Sequence, residues 1–165
     1  MKYRTARSAQ PVVPPAPRTE NQIYEDYALQ ELRTAGYRIT MPRVQVIRAL
    51  ADTKIALSAY AIHEKIILTG GKIDVVSVYR ILATLQDVGL IHHIGVVDGY
   101  FPCKGGNHGG KRSEVVVFED TGDVMELALP QSIIDGIEEQ AKKNGFRANT
   151  IKIEITGEPV GSAKK

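Results

Sequence analysis

Cysteine is almost missing from this chain. Cys103 stands alone, and there is no tryptophan. A single thiol excludes any intrachain disulfide, so the fold is not a disulfide scaffold, and a reducing, cytoplasmic setting is the expectation. No apolar run approaches the ~18 residues of a membrane-spanning helix, so no membrane partner is expected. The N-terminus has no apolar signal-peptide core, and PVVPPAP at 11–17 is too proline-dense for the amphipathic helix of a transit peptide. An excess of one charge is also missing: 21 Lys and Arg face 19 Asp and Glu. A general positive field is thereby excluded, and any nucleic-acid binding must rest on a few placed charges. The one local imbalance is at the start, where Lys2, Arg4, Arg7 and Arg18 precede the first acid, Glu20. Residues 1–18 read as a disordered basic tail that adds non-specific affinity for phosphate. Catalytic signatures are absent as well. There is no Ser-His-Asp or H-E-x-x-H pattern, and the glycines after Lys104 lack the context and closing K-[ST] of a phosphate loop, so no enzyme is expected.

What is present is helical punctuation. T-x-x-Q at Thr19–Gln22 is a capping box, and the helix it opens runs to about Ala35, with Tyr24, Ala28, Leu32 and Ala35 inward and Gly36 past the end. Thr40 is the expected cap of a second helix, with Pro42 in its first turn and Val44, Ile47 and Leu50 buried. Ser58 caps a third, with Leu57 and Ile62 at staple positions, ending near Gly70–Gly71. Asp74 caps a fourth, and Gly89 ends it. Val75, Val78, Ile81, Leu82, Leu85 and Val88 form its buried stripe. Its outer face carries Val76, Ser77, Tyr79, Arg80, Ala83 and Thr84, short and lightly charged as a DNA major groove requires.

Two strands follow, Leu90–Val96 and Gly99–Cys103, joined at the Asp98–Gly99 turn. Helices followed by such a hairpin make a winged helix-turn-helix at 19–103. Residues 104–112 read as a glycine-rich hinge. A second unit at 113–157 has strands at Glu114–Phe118 and Asp123–Leu129 around Thr121–Gly122. A helix from Pro130 to Gly145 then carries Ile133, Ile134, Ile137 and Ala141 on one face, and an alternating strand spans Thr150–Thr156. Residues 158–165 read as a flexible tail. The fold class is α/β of the α+β kind. The second unit is too small to bury enough surface alone, so it is expected to pair with a copy of itself, making a homodimer; docking on the first unit is the alternative.

In this order of elements the chain resembles the ferric uptake regulator family of metal-responsive repressors from about Leu32 to Gly157. The resemblance is carried by AGYRITMPR at Ala35–Arg43, SAYAIHEKI at Ser58–Ile66, VSVYRILATLQDVGLI at Val76–Ile91 and DTGDVMEL at Asp120–Leu127. GLIHHIGVVDGYFPC is most similar to the zinc uptake regulator branch. The resemblance implies that Tyr79 and Arg80 contact base and phosphate of double-stranded DNA, that Arg38 reaches the minor groove, and that Arg43 lies near the backbone. It implies a sensory zinc, Zn2+, held by His92, Cys103 and Glu126.

The chain also departs from that pattern. The family's fourth ligand position holds Lys111, whose ammonium cannot coordinate, and His108 in the glycine-rich loop is the expected substitute. His93 should point away from His92. The family's structural zinc needs two C-x-x-C pairs. Phe118 and Thr121 occupy the first, and no cysteine stands at the second, so that zinc is not expected and Phe118 should replace it with apolar packing. His63 is assigned no role. Three readings stay open: a zinc-responsive repressor, a metal-independent DNA-binding regulator with a degenerate sensor, and a protein interaction module that does not bind DNA.

Overall fold

The computed structural model describes residues 16–105 and 111–161. Most of the basic tail, His108 and residues 162–165 lie outside that range. Arg18 lies within it, and its guanidinium pairs with Asp26 at 2.8 Å, so one of the four tail cations is already countered by the first helix.

Helix α1 (Glu20–Thr34) begins in the expected capping box: the Thr19 hydroxyl accepts from Gln22 N, and the Gln22 side chain accepts from Thr19 N. Tyr24, Ala28 and Leu32 are buried, but Ala35 is exposed because it is the C-cap, outside the last helical turn. Helix α2 (Met41–Ala51) takes Pro42 in its first turn, yet Thr40 makes no side-chain cap bond. Val46, Ile47, Ala49 and Leu50 form its inner face and Val44 is only half-buried, because α2 sits between three other helices and buries a wide stripe. Helix α3 (Ala59–Leu68) is capped by Ser58, whose hydroxyl accepts from Ala61 N at 3.1 Å. Helix α4 (Val75–Val88) is capped by the Asp74 carboxylate on Ser77 N and ends at left-handed Gly89. Its Val78, Ile81, Leu82 and Leu85 close a core with Leu32, Leu50, Ile62 and Ile66.

The wing is shorter than the sequence suggested. Strand β1 (Ile91–Ile94) pairs antiparallel with β2 (Gly99–Pro102), and a 3-10 turn, Gly95–Val97, replaces the end of the first expected strand. The left-handed residue is Asp98, at φ 45°, not Gly99. Aspartate tolerates that conformation because its short side chain bonds locally. Gly99 is needed for space: a Cβ there would lie 2.8 Å from the Cβ of Ala56.

The second sheet has the order β4–β3–β5. Strand β3 (Arg112–Phe118) pairs antiparallel with β4 (Val124–Glu126) and parallel with β5 (Ile151–Gly157), which returns through α5 (Gln131–Lys143). Strand β4 stops well short of Leu129, since the chain must turn toward Pro130 and α5. Phe118 is half-buried and outside both cores, so it does not replace a metal by packing; Val115 and Val117 carry this part of the interior instead. Thr121, at the other expected cysteine position, uses its hydroxyl to accept from Asp123 N within the turn. Arg112 ties the sheet to α5: its guanidinium binds Glu114, the Gln131 side chain and the Leu129 carbonyl.

Wing and sheet share a core. Ile94 and Phe101 of the hairpin pack against Val115, Val117 and Val124. Glu154 on β5 accepts from the wing-tip amides of Gly95 and Val96 at 2.8 and 3.0 Å. Val124 N donates to Lys54 O, and Ile55 bridges to Asp123. The second unit also leaves an apolar face open. Met125, Val116 and Ile155 lie in one row across the sheet, and Met125 and Ile155 are exposed. Of the isoleucines on α5 only Ile134 is buried; Ile133 and Ile137 are exposed, as is Phe146 beyond the helix.

The shared core predicts a large cost for thinning it. Ile94 is fully buried, so Ile94→Ala should lower unfolding free energy by about 2–5 kcal/mol in urea titration. Val96→Ala at the exposed wing tip should stay within about 0.5 kcal/mol. Equal effects at the two positions would disprove the docking.

Candidate metal centre and nucleic-acid face

Strand alternation divides the two wing histidines. His92 points inward and is 5% exposed. His93 points outward, its ring 5.0 Å from that of Tyr100 and its Nε2 3.2 Å from Asp98. Cys103 follows β2 and is buried, its amide donating to Leu90 O, the carbonyl that also accepts from the Tyr24 hydroxyl. Glu126 closes β4. The wing–sheet contact therefore carries three side chains from separate segments into one place, and the ligand atoms of His92, Cys103 and Glu126 lie within 4.8 Å of one another. Among the described residues this is the one group of three such side chains that converges.

Glu126 is the hub. One carboxylate oxygen lies 2.7 Å from His92 Nε2, and the other accepts from the amides of Lys104 and Gly105 at 2.9 Å each. Burial works against its charge, but the hydrogen bonds from His92 and the Lys104 amide outweigh it, and its carboxyl is held below the usual range. The neighbouring thiol moves the other way. Burial first, then the charge of Glu126 and a hydrogen bond to it, push Cys103 up to about 12. His92 Nδ1 lies 2.8 Å from the hydroxyl of Ser113 on β3.

The donor set fits a tetrahedral cation. Bonds of ~2.0–2.3 Å require ligand atoms roughly 3.3–3.8 Å apart, a spacing that the 2.7 Å His92–Glu126 contact would have to open to meet. A pocket of about 420 Å³ adjoins it, bounded by Gly105, Leu129 and the Arg112–Glu114 pair. Lys111 does not line that pocket. It is exposed, lines a separate pocket with Ile134 and Ile151, and its carbonyl accepts from Ile151 N. Lys111 supplies no donor to the cluster. His108 lies outside the described residues.

The outer face of α4 is exposed at Val76, Tyr79, Arg80 and Ala83. Ser77 and Thr84, on the face expected to meet a DNA major groove, have their hydroxyl protons committed to Asp74 and to the Arg80 carbonyl. Arg43 is committed too: it donates to the Arg38 carbonyl and its guanidinium lies 5.4 Å over the Tyr37 ring, so it braces the turn before α2. The Arg38 side chain is exposed. Sequence reasoning missed Tyr60. It is 63% exposed on α3, and its ring meets Tyr79 edge-on at 6.4 Å, extending the aromatic surface of α4. The available signal was an aromatic just after the Ser58 cap and off the Ile62–Ile66 stripe. His63, to which the sequence assigned no role, is half-buried and bonded to the Ile73 carbonyl at 3.0 Å.

Residues 34–156 match the model of the Ferric uptake regulator family. The ferric uptake regulation protein of Brucella abortus biovar 1 is 29% identical over 127 residues, covering 76% of this chain and 87% of the relative. That of Vibrio cholerae serotype O1 is 28% identical over 117 residues, covering 69% and 71%. Among solved structures, a zinc uptake regulator complexed with zinc and DNA superposes with TM-score 0.77 at 23% identity over 87% of this chain and 95% of that one. Holo XcZur gives 0.73 at 22%, over 85% and 96%. At these identities the structural likeness is one of fold.

The raised thiol gives this cluster a pH signature. Cys103 is protonated in the metal-free protein at neutral pH and must lose that proton to coordinate. Zinc uptake should release about one proton per ion, and apparent affinity should rise about tenfold per pH unit between about pH 7 and 9. Calorimetry in buffers of differing ionisation enthalpy measures both. Zero proton release would remove Cys103 from the ligand set.

Proposed function

This chain belongs to the ferric uptake regulator family, and from that premise we propose that it is a dimeric, cytoplasmic transcriptional repressor that binds operator DNA and senses zinc. The family consists of transcription regulators, not enzymes. The observation that carries the reading is the convergence of His92, Cys103 and Glu126 from both sides of the wing–sheet contact. An imidazole nitrogen, a thiolate and a carboxylate suit zinc, and the thiolate turns the choice away from hard cations that take only oxygen. A bound zinc would supply a bond between the DNA-reading half and the second sheet. His108 is the proposed fourth donor. With one cysteine in the chain, two C-x-x-C pairs cannot exist, so the proposal is one zinc per subunit and no structural zinc.

The DNA surface is proposed on α4. Tyr79 offers an apolar edge to a thymine methyl, and Arg80 a forked donor to guanine or phosphate. Arg38 adds a groove or backbone contact, while Ser77 and Thr84 bond within α4 and its cap, and Arg43 bonds the Arg38 carbonyl. A zinc uptake regulator of similar fold was solved with zinc and DNA, which supports the reading. The partner proposed for the open face of Met125, Ile133, Ile137, Phe146 and Ile155 is a second copy of the chain, which would set two α4 helices at a fixed spacing. The domain division proposed is a winged helix at 19–103 and a dimer unit at 113–157, joined through 104–112.

One observation favours a second reading, a metal-independent regulator: the shared apolar core and the wing-tip amides donated to Glu154 already join wing and sheet. Elemental analysis of zinc-loaded protein, with duplex selection and mobility shifts with and without chelator, separates the two. The zinc reading expects one zinc per subunit and DNA binding lost on chelation and in Cys103→Ala. No bound zinc, with DNA affinity indifferent to chelator, overturns it in favour of the second. On either reading Arg80→Ala should cost ~1–3 kcal/mol in specific binding, or lower the salt slope by ~1 if it clamps phosphate; no change in either quantity would take α4 out of the interface.

The dimer has its own test. Ile137→Asp places a charge on the open face, and sedimentation should shift from dimer to monomer at micromolar concentration with secondary structure kept. A wild-type protein that sediments as a monomer sinks the proposal.

A further inference from the structure

His92 uses both ring nitrogens, and the second partner is unusual. Nε2 faces the Glu126 carboxylate at 2.7 Å, and Nδ1 faces the Ser113 hydroxyl at 2.8 Å. The ring and Ser113 are both buried. They sit on different units, His92 on wing strand β1 and Ser113 on sheet strand β3. A carboxylate only accepts, so Nε2 carries a proton in the metal-free arrangement. In the neutral ring Nδ1 is then a lone pair to which the Ser113 hydroxyl donates, and in the charged ring Nδ1–H donates to that hydroxyl instead. Metal coordination requires the reverse: Nε2 offers its lone pair, and the proton of the neutral ring lies on Nδ1, where it needs an acceptor.

We propose that Ser113 is the positioning residue of the metal centre, orienting His92 and allowing its imidazole to exchange tautomers when a metal ion arrives. The proposal rests on the zinc reading above. A hydroxyl can do this because it is donor and acceptor on one atom. A carboxylate or carbonyl at Ser113 would keep the proton on Nδ1 in both states and set Nε2 lone pair against the Glu126 carboxylate. The exchange balances. Starting from the neutral ring, Nε2 gives up one proton and Nδ1 takes one, so the ring releases none. The Ser113 hydroxyl keeps its proton and turns it away from the ring. A cavity of about 20 Å³ lies beside it, bounded also by Gln86, His92 and Lys152. That is room for one water to take the hydroxyl proton in the turned state. Because Ser113 stands on the central strand of the second sheet, the same bond fixes His92 relative to Glu126 across the wing–sheet contact.

The test compares Ser113→Thr with Ser113→Val in the full-length protein. The two replacements have nearly the same shape and differ in the hydroxyl, so crowding on β3 affects both alike. Ser113→Ala serves as a third variant. Zinc affinity is measured by competition with a chromophoric chelator, and the His92 tautomer by 15N chemical shifts of the ring. Ser113→Thr should bind zinc within about threefold of wild type, and Ser113→Val and Ser113→Ala about 10–100-fold more weakly. The wild-type ring should be Nε2–H without metal and Nδ1–H with it. Equal affinity in Thr and Val variants, or one tautomer in both states, overturns the assignment to Ser113 while leaving the zinc reading intact. Wild-type protein that takes up no zinc overturns the zinc reading, and the role of Ser113 with it.

Discussion

The packing of the wing against the second sheet is the contact on which the rest of the molecule depends. Ile94 and Phe101 alone could not make a core for a hairpin of two four-residue strands; they do so by sharing one with Val115, Val117 and Val124. Pinned there, the hairpin has a fixed inward side, and strand alternation puts His92 on it and His93 off it. Cys103 follows at the end of the same hairpin, and β4 brings Glu126 from the opposite side. The candidate site is thus a by-product of apolar docking: hydrophobic burial supplies the force, and the polar groups are carried to their places.

Charge is handled sparingly along that seam. A buried carboxylate is costly unless its lone pairs are filled, and each of the three acids used here is filled. Glu126 takes two amides and an imidazole. Glu114 takes Arg112 and the Leu129 amide. Glu154 takes two wing-tip amides. Several of these donors are backbone N–H groups that the hairpin and the turn after it leave unpaired, so the acids complete hydrogen bonding that short strands cannot complete themselves. Arg112 fits the same pattern in reverse, with its donors taken by an acid, an amide side chain and a carbonyl.

Much of this was legible in the sequence wherever the signal was local. Thr19, Ser58 and Asp74 cap their helices because a cap needs only a side chain and an amide three residues away. The inward turn of His92 and outward turn of His93 follow from a two-residue period. Where the outcome depended on distant chain, the sequence was silent or misleading. Nothing near Gly95 indicates that Glu154 will bind its amide. The isoleucines of α5 have a helical rhythm that says they face something apolar, but not that only Ile134 finds it within one chain. Thr40 stands at the N-cap of α2 yet makes no side-chain cap bond, which residue type alone does not reveal. Tyr60 was passed over because an outward aromatic has no periodic partner along its own helix.

The spacing of the three ligands has a thermodynamic consequence. Zinc sites built from C-x-x-C pairs are gripped by short segments that retain some affinity for metal even in an unfolded chain. Here His92, Cys103 and Glu126 come from three segments, and the only cysteine is among them, so the unfolded ensemble is a poor chelator. An ion held by these residues would bind the native state almost alone. By mass action its free concentration would then appear nearly undiluted as added stability, about 2.7 kcal/mol at a hundredfold excess over the dissociation constant. The melting temperature of such a protein would serve as a direct gauge of metal supply.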